Sequence, residues 1–158
     1  MAVLAKLKEF LDHHHVHYEV RSHPQRFTAQ EVAEAEHVPG TEVAKAVVLR
    51  AGKEYLMVVV PAPFRVDLAR VREVSGKPNL HLATEEEFTP LFPGCEPGAM
   101  PPFGNLFGIP VWVDEVLAKQ KEIIFNAGNH EQTVHMAYAD FARIVQPTVL
   151  AFGEPDRK

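Results

Sequence analysis

The sequence predicts an α/β fold built as a single domain over residues 1–158. Apolar residues at helical spacing alternate with short Val- and Leu-rich runs of strand length, which is the pattern of mixed secondary structure. Two Thr-x-x-Gln/Glu-type helix starts, Thr28-Ala29-Gln30-Glu31 and Thr84-Glu85-Glu86-Glu87, place helices between those runs. A chain of 158 residues, 46% hydrophobic, is long enough to bury roughly two thirds of its unfolded surface in one core. It needs neither metal nor disulfide for stability.

Each element follows in order. Val3, Leu4, Leu7, Phe10 and Leu11 recur at helical spacing and open the chain with an amphipathic helix that the run His13-His14-His15 ends. His17-Tyr18-Glu19-Val20 alternates as a short strand, and the first capping box starts a helix over 28–37 that Pro39-Gly40 closes. Residues 46–50 and 54–60 flank Ala51-Gly52-Lys53 as a β-hairpin, and because both strands are apolar on both faces they are expected in the sheet interior. Residues 67–74 read as a short helix with Asp67 at its start, and 79–83 as a further strand. The second capping box begins a helix that Pro90 and Pro93 stop. No periodicity runs through 93–110, a Gly/Pro-rich stretch of a length that is more often functional than incidental. Strands at 111–113, 122–126 and 133–137, a turn at 126–130 and a last helix at 139–145 complete the reading.

Composition bounds the function. The formal net charge of −5 argues against a protein that coats nucleic acid, since such affinity comes from many phosphate contacts. Between Lys45 and Lys77, however, seven basic residues face three acidic ones, a local balance of +4 against −9 elsewhere. That segment is either a face able to meet a few phosphates or an ordinary solvated surface. A single cysteine, Cys95, excludes an internal disulfide, and no start-of-chain pattern reads as a secretion signal, so the cytoplasm is expected. No apolar run approaches the roughly 20 residues of a membrane span.

Strong nucleophiles are not advertised. His13 and His17, four apart, have the spacing of metal ligands on one helix face, but no acidic or cysteine partner shares it; a solvated helix terminus is the better reading. Cys95 as a nucleophile would need His81 or His130 as its base. Ser22 and Ser75 lie in no nucleophile elbow, and phosphate-binding glycine loops are absent. What stands out instead is Lys45 at the mouth of an apolar strand, and the loop Gly98-Ala99-Met100-Pro101-Pro102-Phe103-Gly104, whose glycines and prolines present peptide groups to a ligand.

Taken in order, several separated motifs resemble one family: His23-x-x-x-x-Thr28-Ala29-x-x-Val32-Ala33, Val43-Ala44-Lys45-Ala46-Val47-Val48, Val59-Val60-Pro61, Val66-Asp67-Leu68, Pro101-Pro102-Phe103-Gly104, Phe125-Asn126-Ala127-Gly128, and Met136 with Asp140-Phe141. The chain is similar to the YbaK/EbsC family, which includes free-standing relatives of the editing domain inserted in bacterial prolyl-tRNA synthetases. The resemblance implies a mixed, mostly antiparallel curved sheet or partial barrel with helices packed around it. It implies hydrolysis of the ester of a mischarged small amino acid of the Ala, Cys or Ser class on tRNA, with tRNA(Pro) foremost, and no cofactor or metal. By the same carry-over Lys45 contacts the tRNA acceptor end, Gly98 belongs to the reacting loop, and His130 joins them as catalytic residues. Thr28, Ala46, Ala99, Met100, Pro101, Pro102, Phe103, Gly104 and Asn126 are the implied substrate-binding residues. Partners are the acceptor end of aminoacyl-tRNA and, secondarily, an aminoacyl-tRNA synthetase; no membrane is implied. Loop amides of Ala99, Met100 and Gly104 are available in principle to hold an oxyanion, unlike those positions occupied by proline. The alternative is a non-catalytic module that binds a small ligand or an aminoacyl end in the same pocket.

Overall fold

A computed structural model describes residues 4–22 and 39–155 of the chain. The expected helix over 28–37, and with it Thr28, lies outside the described residues. In chain order the elements are α1 (Ala5–His13), β1 (Tyr18–Ser22), β2 (Ala44–Ala51), β3 (Glu54–Pro61), β4 (Phe64–Val66), α2 (Leu68–Ser75), β5 (His81–Leu82), α3 (Glu85–Phe88), β6 (Val111–Asp114), α4 (Glu115–Ala118), β7 (Glu122–Asn126), β8 (Gln132–Ala137), α5 (Tyr138–Val145), β9 (Thr148–Leu150) and β10 (Gly153–Pro155). Single turns of 3-10 helix lie at Gly40–Glu42, Thr89–Leu91 and Gly104–Phe107.

The strands form three sheets, ordered β1-β8-β7, β10-β4 and β5-β2-β3-β6-β9, and none closes into a barrel. Pairing is mostly antiparallel; β3-β6 and β6-β9 are parallel. β2 and β3 pair along their whole length from Ala44↔Pro61 to Ala51↔Glu54 around a Gly52-Lys53 turn, where Gly52 takes the positive φ of +63° that the tight reversal demands.

These two strands are apolar on both faces because each face meets a different core. Ala44, Val48, Met57 and Val59 point into one cluster, with Leu7, Leu11, Phe103, Phe125 and Phe141. Leu49, Leu56, Val58 and Val60 point into the other, with Val71, Leu80 and Phe152. The three-stranded sheet meets the five-stranded one at an isolated parallel bridge, Val43↔Ile124. This seam brings the start of β2 beside β7.

Local signals operate as the chain requires. Thr84 Oγ1 accepts the Glu87 N–H at 3.2 Å while Glu87 Oε1 accepts the Thr84 N–H at 2.9 Å, so the capping box is complete. Asp67 caps α2 through the Arg70 N–H, and Gly76 at φ +71° ends it. α1 ends at the histidines, with His15 at φ +56°. The strand expected at 79–83 shrinks to His81–Leu82, and the aperiodic stretch 93–110 contains the 3-10 turn Gly104–Phe107. No described helix is long and apolar enough to cross a membrane.

Candidate active site

The expected loop is held against the tip of the β7-β8 hairpin by backbone bonds. The Glu96 N–H donates to Gly128 O at 2.8 Å, the Gly128 N–H to Ala99 O at 3.0 Å, and the Ala99 N–H back to Glu96 O at 3.0 Å. The tip is itself shaped by Asn129, whose Oδ1 accepts the N–H groups of Glu131 and Gln132 at 2.8 and 2.9 Å, a side-chain-closed turn. From the other side Leu4 is wedged between two glycines: a Cβ on Gly94 or on Gly128 would lie 3.0 Å from its side-chain carbons, and the Leu4 N–H donates to Ala127 O. No sequence signal marks Glu96, and Leu4 is marked only as an apolar residue of the first helix; Asn129 is findable as the asparagine of a turn.

His130 stands at this junction, 4% exposed. Its Nε2 lies 2.8 Å from the carbonyl of Pro97. A carbonyl accepts and never donates, so Nε2 carries the proton in this contact, while Nδ1 is buried. Gly98 follows with φ +82°, and a Cβ there would sit 3.6 Å from His130 Cε1. Glycine is therefore required by the backbone conformation, whereas space alone would admit a methyl group.

The loop then turns inward. Ala99, Met100, Pro101, Pro102, Phe103 and Gly104 are all buried. Phe103 is wholly enclosed, packed between Phe125 and Phe141 at centroid distances of 5.3 Å, so its side chain anchors the loop in the core. Gly104 is needed for close approach, because a Cβ would fall 2.8 Å from Ile109 O. One expectation is corrected: the Ala99 amide is committed to Glu96 O and does not face a ligand. The Phe103 amide is likewise taken, by Pro101 O, and the prolines supply none, which leaves the Gly98, Met100 and Gly104 N–H groups as the loop's remaining candidates.

Lys45 occupies the second residue of β2, and its Nζ donates to Phe64 O at 2.6 Å and to Ala62 O at 3.5 Å. These carbonyls satisfy a charge that the apolar strand would otherwise disfavour. Lys45 is paired with Val60, and so shares the face of the second core, while Ala46 packs against the first core with Met100. The two adjacent residues thus address opposite faces. The Val43↔Ile124 bridge sets the residue before β2 beside β7, whose last residue, Asn126, is two positions from the Gly128 that bonds Ala99. The start of β2 thus neighbours the strand that leads to the hairpin tip, while the Lys45 side chain lies on the sheet face opposite the core that holds Met100. Asn126 Oδ1 is buried without a hydrogen-bond partner.

The excess positive charge between Lys45 and Lys77 is reduced in place by ion pairs. Arg50 pairs with Glu87, Arg65 with Glu154 at 2.7 Å, Arg70 with Glu73 at 3.3 Å and Lys77 with Glu54, while Arg72 donates to Leu80 O. Two of those carboxylates come from outside the segment, which charge counting along the chain does not see.

The rival sites are weaker. α1 stops before His17, so His13 and His17 do not share a helix face, and no group of three or more metal-ligating side chains gathers among the described residues. Burial pushes the Cys95 thiol up to about 11, which keeps it protonated and a poor nucleophile near neutrality. His81 Nδ1 meets Asn79 O at 3.1 Å on the surface.

Comparison with known proteins follows from this geometry. The family model described as "Aminoacyl-tRNA editing domain" matches residues 23–144. A proline–tRNA ligase of Staphylococcus saprophyticus is 29% identical over 131 residues, 83% of this chain and 22% of that protein. A proline–tRNA ligase of Staphylococcus aureus strain Newman is 26% identical over 140 residues, 82% of this chain and 24% of that protein. The chain therefore spans about a quarter of the curated relatives it matches. Among solved structures, a hypothetical protein superposes with a TM-score of 0.85 at 20% identity, covering 94% of this chain and 99% of that one. A protein described as a proposed trans-editing enzyme for prolyl tRNA synthetase superposes at 0.82 with 24% identity, covering 94% and 95%. These structural likenesses establish a shared fold.

Proposed function

Because the chain belongs to the aminoacyl-tRNA editing domain family, we propose that it is a trans-editing aminoacyl-tRNA deacylase. Its substrate in this reading is the ester between a mischarged small amino acid, of the Ala, Cys or Ser class, and the terminal adenosine of tRNA, with tRNA(Pro) as first choice. The observation that carries it is the junction of Gly98 with His130: a glycine at positive φ and a ring held through Nε2–H by Pro97 O, on the hairpin whose strand β7 bridges to the start of β2.

The chemistry asks little of a nucleophile. An aminoacyl ester is already activated, so a positioned water attacks the carbonyl carbon, the carbon–oxygen bond to the ribose breaks, and the ribose oxygen leaves with a proton. The Gly98, Met100 and Gly104 amides are the groups suited to the developing oxyanion, and His130, through its Nε2–H bond to Pro97 O, holds the start of the loop in place. Lys45 is the cation assigned in this reading to the acceptor end, its ammonium held by Phe64 O. In this reading selection among esters is by size. One methylene discriminates by only roughly 10- to 200-fold, which is the regime in which editing of small amino acids is needed.

Release of amino acid from Ala-, Cys- and Ser-charged tRNA(Pro) tests the proposal. Faster release than in buffer from at least one ester supports it; decay of all three at the buffer rate removes it. The ion pairing of the Lys45–Lys77 segment favours a second reading, a module that binds an aminoacyl end without turnover. Calorimetry with an unhydrolysable aminoacyl-adenosine analogue, set beside the hydrolysis assay, separates the two.

A further inference from the structure

We propose that Glu96 is a positioning residue that aims His130 at the Gly98 loop; the part of this inference that concerns turnover rests on the deacylase reading above. Glu96 Oε1 accepts the His130 backbone N–H at 3.3 Å, while the next residue, Pro97, accepts the imidazole Nε2–H at 2.8 Å. Two consecutive residues thus hold the main chain and the ring of one histidine. With both ends fixed, rotation of the ring about its side-chain bonds is restricted, and its Cε1–Nε2 edge stays turned to Gly98.

Glu96 is well placed to act as such a pin. Its own N–H and carbonyl are bonded to Gly128 and Ala99, so its backbone is locked to the hairpin tip on one side and to the loop on the other. The following proline disfavours helical backbone at residue 96 and adds stiffness of its own. A half-buried carboxylate here has a defined task, because its oxygen takes an amide that the turn leaves without a backbone acceptor. Glutamate also has the needed reach; aspartate is one methylene short.

The test compares wild type, Glu96→Ala and Glu96→Gln by two readouts. Amide hydrogen exchange at His130, followed by NMR without tRNA, should speed up about tenfold in E96A and stay within about twofold of wild type in E96Q, which keeps an acceptor oxygen. For deacylation of charged tRNA, E96A should lower kcat about tenfold with KM within twofold, and E96Q should restore it. Unchanged exchange in E96A, or an E96Q as impaired in kcat as E96A, overturns the proposal. If the wild-type protein hydrolyses no charged tRNA, the deacylase reading fails on its own and the exchange comparison still decides the brace. Should E96A not fold, Glu96→Asp takes its place against E96Q in both measurements.

Discussion

At Gly98 a single methyl group separates two explanations of a glycine. Space is available, since the added carbon would make an ordinary contact with His130, but the positive φ is not. Gly98→Ala is expected to cost about 1–2 kcal/mol or to shift the loop, lowering deacylation without unfolding the protein. Thermal unfolding and turnover measured on one preparation check this. Lys45→Met keeps the stem and removes the ammonium from Phe64 O, with an expected loss of about 1.5 kcal/mol. If the ammonium also meets a phosphate, the salt dependence of tRNA turnover flattens by about one unit of slope, and an unchanged slope counts against that contact. Cys95 gives a pH prediction. A thiol held up near 11 by burial should react slowly with iodoacetamide at pH 8 and accelerate as pH approaches that value, a trend readable by mass spectrometry.

Among the elements, the 3-10 turn Gly104–Phe107 shows how the loop is anchored. Gly104→Ala drives a carbon to within 2.8 Å of Ile109 O, where backbone must move. A loss of about 1–3 kcal/mol is expected, larger than at Gly98, and denaturant unfolding at the two positions ranks them. The same scale explains what was legible. Both Thr84 capping bonds and the Asp67 cap were readable because their partners are three residues away. The hairpin was readable because β2 and β3 are neighbours around a glycine turn. β4, β9 and β10 were not, since each is three residues long and owes its existence to a partner distant in the chain. α4 hides for a related reason: four residues carry no period. At the site, Lys45, the Gly98 loop and His130 were marked by residue type and motif order. The Ala99 amide, the Glu96 brace and the ion-paired basic segment depend on who stands opposite whom, which no spacing rule encodes.

Across the whole molecule, Asp114 fastens the second half together. Its carboxylate, 1% exposed, accepts the N–H groups of Phe152 and Gly153 at 3.1 and 2.8 Å with one oxygen and that of Val116 at 3.1 Å with the other. Asp114→Ala orphans three donors at the join of β6, α4 and β10. A loss of about 3 kcal/mol or more is expected, with cooperative unfolding at lower denaturant as the readout. Deacylation at low temperature should persist, because the loop–hairpin junction lies in other elements.

Strand β4 waits for a partner 89 residues further along, as the Arg65–Glu154 pair shows. On a translating ribosome Phe64–Val66 is made well before Phe152, the aromatic plug of the second core. Until Phe152 is made, the nascent polypeptide exposes the apolar underside of its central hairpin. Such distant closure slows folding, and this surface is where a chaperone would find its client.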